Sequence, residues 1–314
     1  WYGDHRDLHS LRRRQRQMCI RDRDRTYYEN LEVDKQLTIK SENGPDNCIV
    51  DGGGSGNVIT LNADGITIEG FTVRNSSWSD AGIKVFSNAN KIAYNSITNN
   101  YKGIYLYSSS NNTIANNTIS NNYYGISLYS SSNNIIENNI ASNNKYGIFL
   151  SYSGNNTIAN NNASNNGDGI FLSYSSNNTI ENNTASNNVD GISLYKSSSN
   201  TIANNNALNN VIGIDLEVEE SSSNIIANNN VSSNNLCGIE LDSSSNNIIA
   251  NNTISNNWNG IDLWYSSNNI IYLNNFIDNT YQVYFYSDSS TNIWNSTEKI
   301  NYTYNGTQYT NYLG

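Results

Sequence analysis

The sequence predicts an all-β fold, a right-handed single-stranded parallel β-helix of about 10 coils of 22 residues. Three observations carry that expectation: a fixed repeat length, a two-residue alternation inside each repeat, and asparagines at constant positions. From residue 82 onward, glycines that open a Gly-Ile pair fall at Gly82, Gly103, Gly125, Gly147, Gly169, Gly191, Gly213, Gly238 and Gly260, spaced by 21, 22, 22, 22, 22, 22, 25 and 22 residues. A period held this closely marks a solenoid, in which each repeat packs only on its neighbours.

One unit, GIYLYSSSNNTIANNTISNNYY from Gly103, resolves into GIxL, N-x-I and N-x-(I/A/V/F), separated by polar turn residues. Three short strands per coil follow. Within GIxL the period is two, so Ile104 and Leu106 point inward while Tyr105 and Tyr107 point outward. The second strand supplies a column of Ile92, Ile114, Ile136, Ile158, Ile180, Ile202, Ile226, Ile249 and Ile271, and the third uses the smaller Ala141, Ala163, Ala185 and Ala207 in mid-stack. Asn112, Asn117 and Asn122 have a counterpart in every coil from Gly82 onward. Stacked coils lie about 4.8 Å apart, a spacing at which amide side chains bond copies above and below as an Asn ladder, and Asn tolerates the left-handed backbone of tight bends. These residues read as scaffold. A leucine-rich repeat has a similar period but needs a helical segment; the Ser-Asn-Asn runs are poor helix formers, and Ile outnumbers Leu at the inward sites.

Organisation follows from where the repeat holds. Residues 1–25 form an anomalous basic leader, 26–81 irregular N-terminal coils, 82–279 the regular repeats, and 280–314 a C-terminal coil or cap that is expected to be truncated. The leader holds both histidines, His5 and His9, the single Met18 and eight of the 17 basic residues, without an apolar period. Its LRRRQRQMCIRDRDR string resembles translated sequencing-adapter read-through and is expected to be non-native or disordered, the alternative being a native basic arm. It lacks the apolar core of a signal peptide. Without its eight basic and four acidic residues the body carries nine basic and 23 acidic ones, near −14 rather than −10. Nucleic acid is therefore not an expected partner, because phosphate contacts need clustered Lys and Arg. Cys19, Cys48 and Cys237 are odd in number and far apart, which excludes a disulfide framework. No run of 18 apolar residues exists, so no membrane span is expected in this chain, and a monomer is expected.

TYYENLEVDKQLTI, IVDGGGSGNVITLNADGITIEGFTV and the GIxL-xxSxxNxIxxN coils together resemble the NosD-type parallel β-helix family over residues 26–314. The tail NSTEKINYTYNGTQYTNYLG is similar to the ends of such β-helices in archaeal surface proteins. The resemblance implies a secreted or cell-surface location and a grouping with carbohydrate-binding proteins and sugar hydrolases. It also implies copper binding, which this chain departs from: from Thr26 onward it has no His and no Met, whereas copper favours imidazole, thiolate and thioether ligands. No cofactor is expected to be required.

Any chemistry then rests on carboxylates, since without histidine a Ser-His-Asp arrangement cannot form. The outward positions of successive GIxL strands run from aromatic, at Tyr105/Tyr107, to acidic, at Asp215/Glu217, Glu240/Asp242 and Asp262/Trp264. Five carboxylates on a lattice with neighbours about 5 Å apart, beside Trp258, Trp264 and Tyr265, suit carbohydrate binding, with the rings stacking on sugar faces. The same oxygens at Asp215, Glu240, Asp242 and Asp262 are candidates for calcium, which takes six to eight oxygen ligands. Asp215, Glu240 and Asp262 are the candidates for catalysis, because carboxylates about 5 Å or 6.5–9.5 Å apart serve retaining or inverting glycosidases. The competing reading is a solvated acidic face. The coil from Gly213 is longer and adds Glu219 and Glu220, an irregularity of the kind that often marks a solenoid's binding face. Asp168 and Asp190 precede Gly-Ile pairs and read as turn residues. Arg74, the one arginine after Thr26, offers little to a polysaccharide lyase. Sequons such as Asn111-Asn112-Thr113 permit glycosylation without arguing for it. The expected function is an extracellular surface module binding carbohydrate or serving adhesion through its outer sheet; the alternatives are a purely structural scaffold and a glycoside hydrolase.

Overall fold

The computed structural model describes residues 19–22, 24–217, 221–286, 291–304 and 307–313. The chain winds through three parallel sheets of 12 strands each, so the solenoid has 12 turns rather than about ten. The first sheet runs from Cys19–Asp22 to Ile270–Tyr272, the second from Arg25–Tyr28 to Asn275–Ile277, and the third from Leu31–Val33 to Tyr281–Phe285. Backbone pairing, which composition does not register, carries the stack back into the segment set apart as a leader: Cys19–Asp22 pairs in register with Thr38–Ser41. Met18 and both histidines lie outside the described residues. At the other end Tyr281–Phe285 still pairs with Asn259–Trp264, beyond the boundary drawn at 279, and residues Ile300–Tyr304 and Thr307–Asn311 form a separate antiparallel pair.

The two-residue alternation is realised as expected. Ile104 lies opposite Ile126 and Leu106 opposite Leu128, and all four are completely buried. The isoleucine column from Ile92 to Ile271 and the alanines Ala141, Ala163, Ala185 and Ala207 fill the interior. Because a parallel in-register stack repeats one side chain at one place, each column packs identical shapes at the sheet spacing, and no coil needs a core of its own.

Two asparagines divide the work at each bend. The first of an Asn-Asn pair takes the left-handed backbone, as Asn116 (φ 56°) and Asn138 (φ 56°) do. The second is buried and forms the ladder: Asn139 donates its backbone N–H and its Nδ2 to Asn161 Oδ1 at 2.9 and 3.0 Å, and Nδ2 also donates to the carbonyl of Ile114 at 2.9 Å. The ladder and the left-handed bend, which the sequence assigned to one residue, thus belong to two. A second ladder runs along the turn after the third sheet, where the N–H of Ser131 donates to Ser153 Oγ and that of Ser153 to Ser175 Oγ, each at 3.0 Å. Glycine opens the third-sheet strand because a Cβ at Gly169 would meet the carbonyl oxygen of Gly191 at 2.5 Å.

Candidate active face on the third sheet

The third sheet is the longest-stranded wall, and its outward residues fall into three columns. The residue before each glycine gives Lys102, Tyr124, Tyr146, Asp168, Asp190, Ile212, Cys237 and Asn259, continued in register by Tyr281; the x of GIxL gives Tyr105, Ser127, Phe149, Phe171, Ser193, Asp215, Glu240 and Asp262, continued by Tyr284. The third column, after the leucine, includes Tyr107, Tyr129, Ser151, Ser173, Tyr195, Glu217, Asp242 and Trp264. The inward Ile and Leu fix the register, which leaves the outward identities free of any fold requirement.

The x column brings Asp215, Glu240 and Asp262 together as consecutive register partners. Asp215 is 7% exposed and Asp262 4%. Asp168 and Asp190, which the sequence reads as turn residues, instead open strands Asp168–Ser173 and Asp190–Tyr195 and are register partners on the outward face. The dipeptide Asp-Gly is ambiguous, and only the stacking shows that its aspartate belongs to the sheet. Carboxylate oxygens of Asp190, Asp215 and Glu217 lie within 4.8 Å of one another. Ser193 Oγ donates to Glu217 Oε1 at 2.7 Å.

One coil further, Asn259 Nδ2 donates to Asp262 Oδ2 at 2.8 Å, and the Cys237 thiol approaches the same oxygen at 3.5 Å. Glu240 Oε2, Asn259 Oδ1 and Asp262 Oδ1 are buried with no hydrogen-bond partner. Buried polar atoms are almost always paired, so three orphans in one cluster are unusual. Cys237, Asn259 and Ser193 were not among the site residues expected from the sequence; their positions in the Gly-Ile frame were visible there, but Cys237 meets Asp262 and Ser193 meets Glu217 across coils.

Crowding without counter-charge shifts the titration of this centre. Burial, then Glu240, Glu217, Asp190 and Asp242, raise Asp215 well above the carboxylate range. Burial and the nearby Asp262 push Glu240 up to about 7. Asp168 is pushed up to about 7 by burial, Asp190 and Glu217, against a lowering pull from Lys145, and Asp190 to about 6 by burial and Glu217. Burial also raises the Cys237 thiol, which is inert as a nucleophile there. Arg74 is committed elsewhere, its Nε 2.8 Å from Asp51 Oδ2.

Aromatic rings flank the carboxylates along the solenoid axis. Towards the N-terminus Tyr124 stacks on Tyr146 at 5.1 Å and Tyr146 on Phe171 at 5.7 Å, and Tyr146 is the register partner of Asp168. Lys145 lies over the Tyr146 ring, and Lys102, further towards the N-terminus, over Tyr101 and Tyr105. Towards the C-terminus Trp264 is the partner of Asp242 and stacks on Tyr286 at 4.2 Å, and Tyr284 is the partner of Asp262. Trp258 and Tyr265 stand off the face. Trp258 is 54% exposed in the turn before the strand, and Tyr265 occupies a left-handed turn position (φ 46°) after it.

The irregular coil borders this centre on both sides. Ladder partners are 24 residues apart from Asn210 to Asn234 and 23 from Asn234 to Asn257, then return to 22. Two residues are thus inserted after Glu217 and one before Cys237. Glu219 and Glu220 lie outside the described residues.

Solved structures similar to this chain share its solenoid. The A-module of the Azotobacter vinelandii mannuronan C-5 epimerase AlgE4 superposes with a TM-score of 0.75 at 15% identity, covering 89% of this chain and 91% of that one. The Dettilon tailspike protein does so at 0.66 and 17%, over 86% and 58%. DFA-IIIase from Arthrobacter chlorophenolicus A6, in complex with GF2, gives 0.60 and 12%, over 80% and 82%. At these identities the likeness establishes the fold. No curated protein sequence matches the chain. Among the described residues no helix is long and apolar enough to cross a membrane.

Among protein families, the one described as "Periplasmic copper-binding protein (NosD)" matches residues 48–218 and 173–314. The donors here do not fit that metal: the acidic centre offers oxygen, Cys48 is sealed in the core and Cys237 holds a raised, buried thiol, whereas copper selects nitrogen and sulfur ligands. Two overlapping matches that together take in most of its length place this chain in the NosD family.

Proposed function

We propose that the protein is an extracytoplasmic carbohydrate-binding module whose third sheet holds an extended polysaccharide along the solenoid axis. The observation that carries this reading is the placement of a carboxylate centre, buried Asp215 and Asp262 with half-buried Glu240 between them, flanked by two sets of stacked rings along the same face. Rings present flat apolar area to sugar faces, and carboxylates accept hydrogen bonds from hydroxyls; aromatic side chains with a few placed polar groups are the usual lining of a ligand site. The periplasmic description of the family supports a location outside the cytoplasm. The named activities of the epimerase and DFA-IIIase neighbours lend the carbohydrate reading support at the level of fold.

Affinity electrophoresis against a panel of neutral and acidic polysaccharides tests it. At least one should retard the protein, and Trp264→Ala should weaken that retardation about tenfold, the loss of roughly 1.4 kcal/mol. Migration unaffected by every glycan would overturn the reading.

A second reading, glycoside hydrolysis, is favoured by one observation: Glu240, pushed up to about 7, is available as a proton donor at neutral pH and has carboxylates on the coils before and after it. One coil spacing, about 4.8 Å, approaches the separation of about 5 Å used by retaining enzymes. Release of reducing ends that disappears in Glu240→Gln is its signature.

A further inference from the structure

We infer that the N-terminal half of the third sheet is a subsite for a uronic-acid glycan, with Lys84 and Lys102 as the pair of ammoniums that seats a sugar carboxylate. This deepens the carbohydrate reading and rests on it, naming the class of sugar and the end of the face that takes its charge.

The first observation is where the positive charge lies. Between Gly82 and Asn279 the chain has five lysines and no arginine. Four of them, Lys84, Lys102, Lys145 and Lys196, stand over aromatic rings on or beside the third sheet, with Nζ 4.7–5.7 Å from the ring centres. Only Lys91 opens a strand of the first sheet. Solvation alone would spread cations over all three walls.

The second observation is convergence on one ring. Lys84 is the register partner of Tyr105, and Lys102 opens the strand Lys102–Tyr107 that carries it. Their Nζ atoms lie 5.7 and 4.7 Å from the centre of the Tyr105 ring. Among the described residues neither lysine joins an ion pair. Lys102 donates to the Ser79 carbonyl at 3.0 Å, which leaves two of its three N–H groups. Burial and then Lys84 hold the Lys102 ammonium below its ordinary range, with Asp80 pulling the other way. Each ring contact contributes about 0.5–1 kcal/mol at an exposed site, and two ammoniums on one ring repel; an anion between them is attracted by both.

Platforms for sugar faces lie beside this seat. Tyr101 stacks on Tyr123 at 5.1 Å and the exposed Tyr107 on the exposed Tyr129 at 5.5 Å. An anion held among such rings suits a uronate better than a phosphate polymer, which needs clustered Lys and Arg. A densely sulfated chain is disfavoured by the same wall, where lysines stand singly between rings and carboxylates begin at Asp168. The acidic centre does not cancel the seat, because the Gly103 and Gly213 coils are five coil spacings apart, about 24 Å, against a screening length of about 8 Å. The bound chain presents a carboxylate at Lys102 and hydroxyls at Asp215.

Affinity electrophoresis in chelator compares hyaluronan and polygalacturonate with their carboxyl-reduced forms and with dextran sulfate. At least one uronate glycan should retard the protein, at least tenfold more tightly than its carboxyl-reduced form, and less as sodium chloride is added. The double variant Lys84→Gln with Lys102→Gln should lose at least tenfold in affinity, whereas Lys91→Gln, exposed on the first sheet, should match wild type. Circular dichroism verifies the coil in each variant. Equal retardation by the carboxyl-reduced forms, tighter retardation by dextran sulfate, or a double variant equal to Lys91→Gln overturns the uronate subsite while the carbohydrate reading stands. Retardation by neutral glycans alone has the same meaning. Migration unaffected by every glycan removes the carbohydrate reading itself, and the subsite with it.

Discussion

Asp215 and Glu240 are Cα partners on adjacent coils of the third sheet, and neither joins an ion pair among the described residues, although Asp215 is only 7% exposed. Like charges in this relation repel by roughly 0.8 kcal/mol at 5 Å in bulk water and by more in a drier setting, and directly opposed like charges weaken a sheet. The neighbouring frame tolerates the pair because Ile214, Leu216, Ile239 and Leu241 hold the register from inside. That tension has consequences that can be measured.

Stability should fall as pH rises through the neutral range. Unfolded carboxylates titrate near 4, whereas folded Asp190 titrates at about 6 and Asp168 and Glu240 at about 7. Between these limits the folded state binds more protons, so protonation stabilises the fold below pH 4 and the benefit is lost by about pH 7. Asp51 runs the other way: burial raises it, but the Gly53 N–H, Asn75 and Arg74 together hold it low, so its contribution is lost only below its ordinary range. In chelator, the Tm at pH 5 should exceed that at pH 8 by about 2–3 °C, a difference of one to two kcal/mol for a chain of this size.

Neutralising the centre should stabilise the protein while impairing binding. Asp215→Asn keeps the shape and removes one buried charge, so at pH 8 in chelator the variant should gain about 1 kcal/mol in thermal or urea unfolding. A loss of stability of that size would show that the carboxylate is compensated by something other than a ligand.

Breaking one rung of the asparagine ladder should be costly anywhere along the stack. Asn161 accepts from the N–H and Nδ2 of Asn139 and donates to the carbonyls of Ile136 and Ala159 and to Asn183 Oδ1. Asn161→Ala strands several of these buried groups, at about 1–3 kcal/mol for each left unsatisfied. Limited proteolysis should then open the coils around residue 161, whereas Asn160→Ala, at the exposed left-handed position, should lose about 1 kcal/mol through backbone strain alone.

Gly169→Ala should destabilise by about 1–3 kcal/mol although its backbone is ordinary, because the added methyl meets the Gly191 carbonyl at 2.5 Å and Asn188 Nδ2 at 2.9 Å. Ala163→Val, facing inward on a neighbouring wall, tests the same crowding from the core side. Both are read from the Tm.

The solenoid was legible because its signals are local and repeated. A 22-residue period, Ile104 and Leu106 alternating with Tyr105 and Tyr107, and an Asn at each bend each state the same coil. Less was legible where the period fails. Cys19–Asp22 enters the first sheet through backbone pairing that its charged composition conceals. The site was half visible. Asp215, Glu240 and Asp262 followed from counting the x of GIxL, but Asp168 and Asp190 were hidden in an Asp-Gly pair that serves turns equally well. Cys237 and Ser193 gained meaning from partners 25 and 24 residues away, and Asn259 from Asp262 three residues on, in a spacing that no turn or helix signal marks. Trp258 and Tyr265, adjacent in sequence to the acidic strand, fall on its turns, since a strand only six residues long leaves its neighbours at the corners.

The most direct test of the carbohydrate-binding face is a calorimetric titration of the best-retained polysaccharide into wild type and into the double variant Glu240→Ala with Asp262→Ala, each verified as folded. Wild type should bind saturably and the double variant at least tenfold more weakly. Equal affinity in the two proteins would contradict the assignment of function to this face.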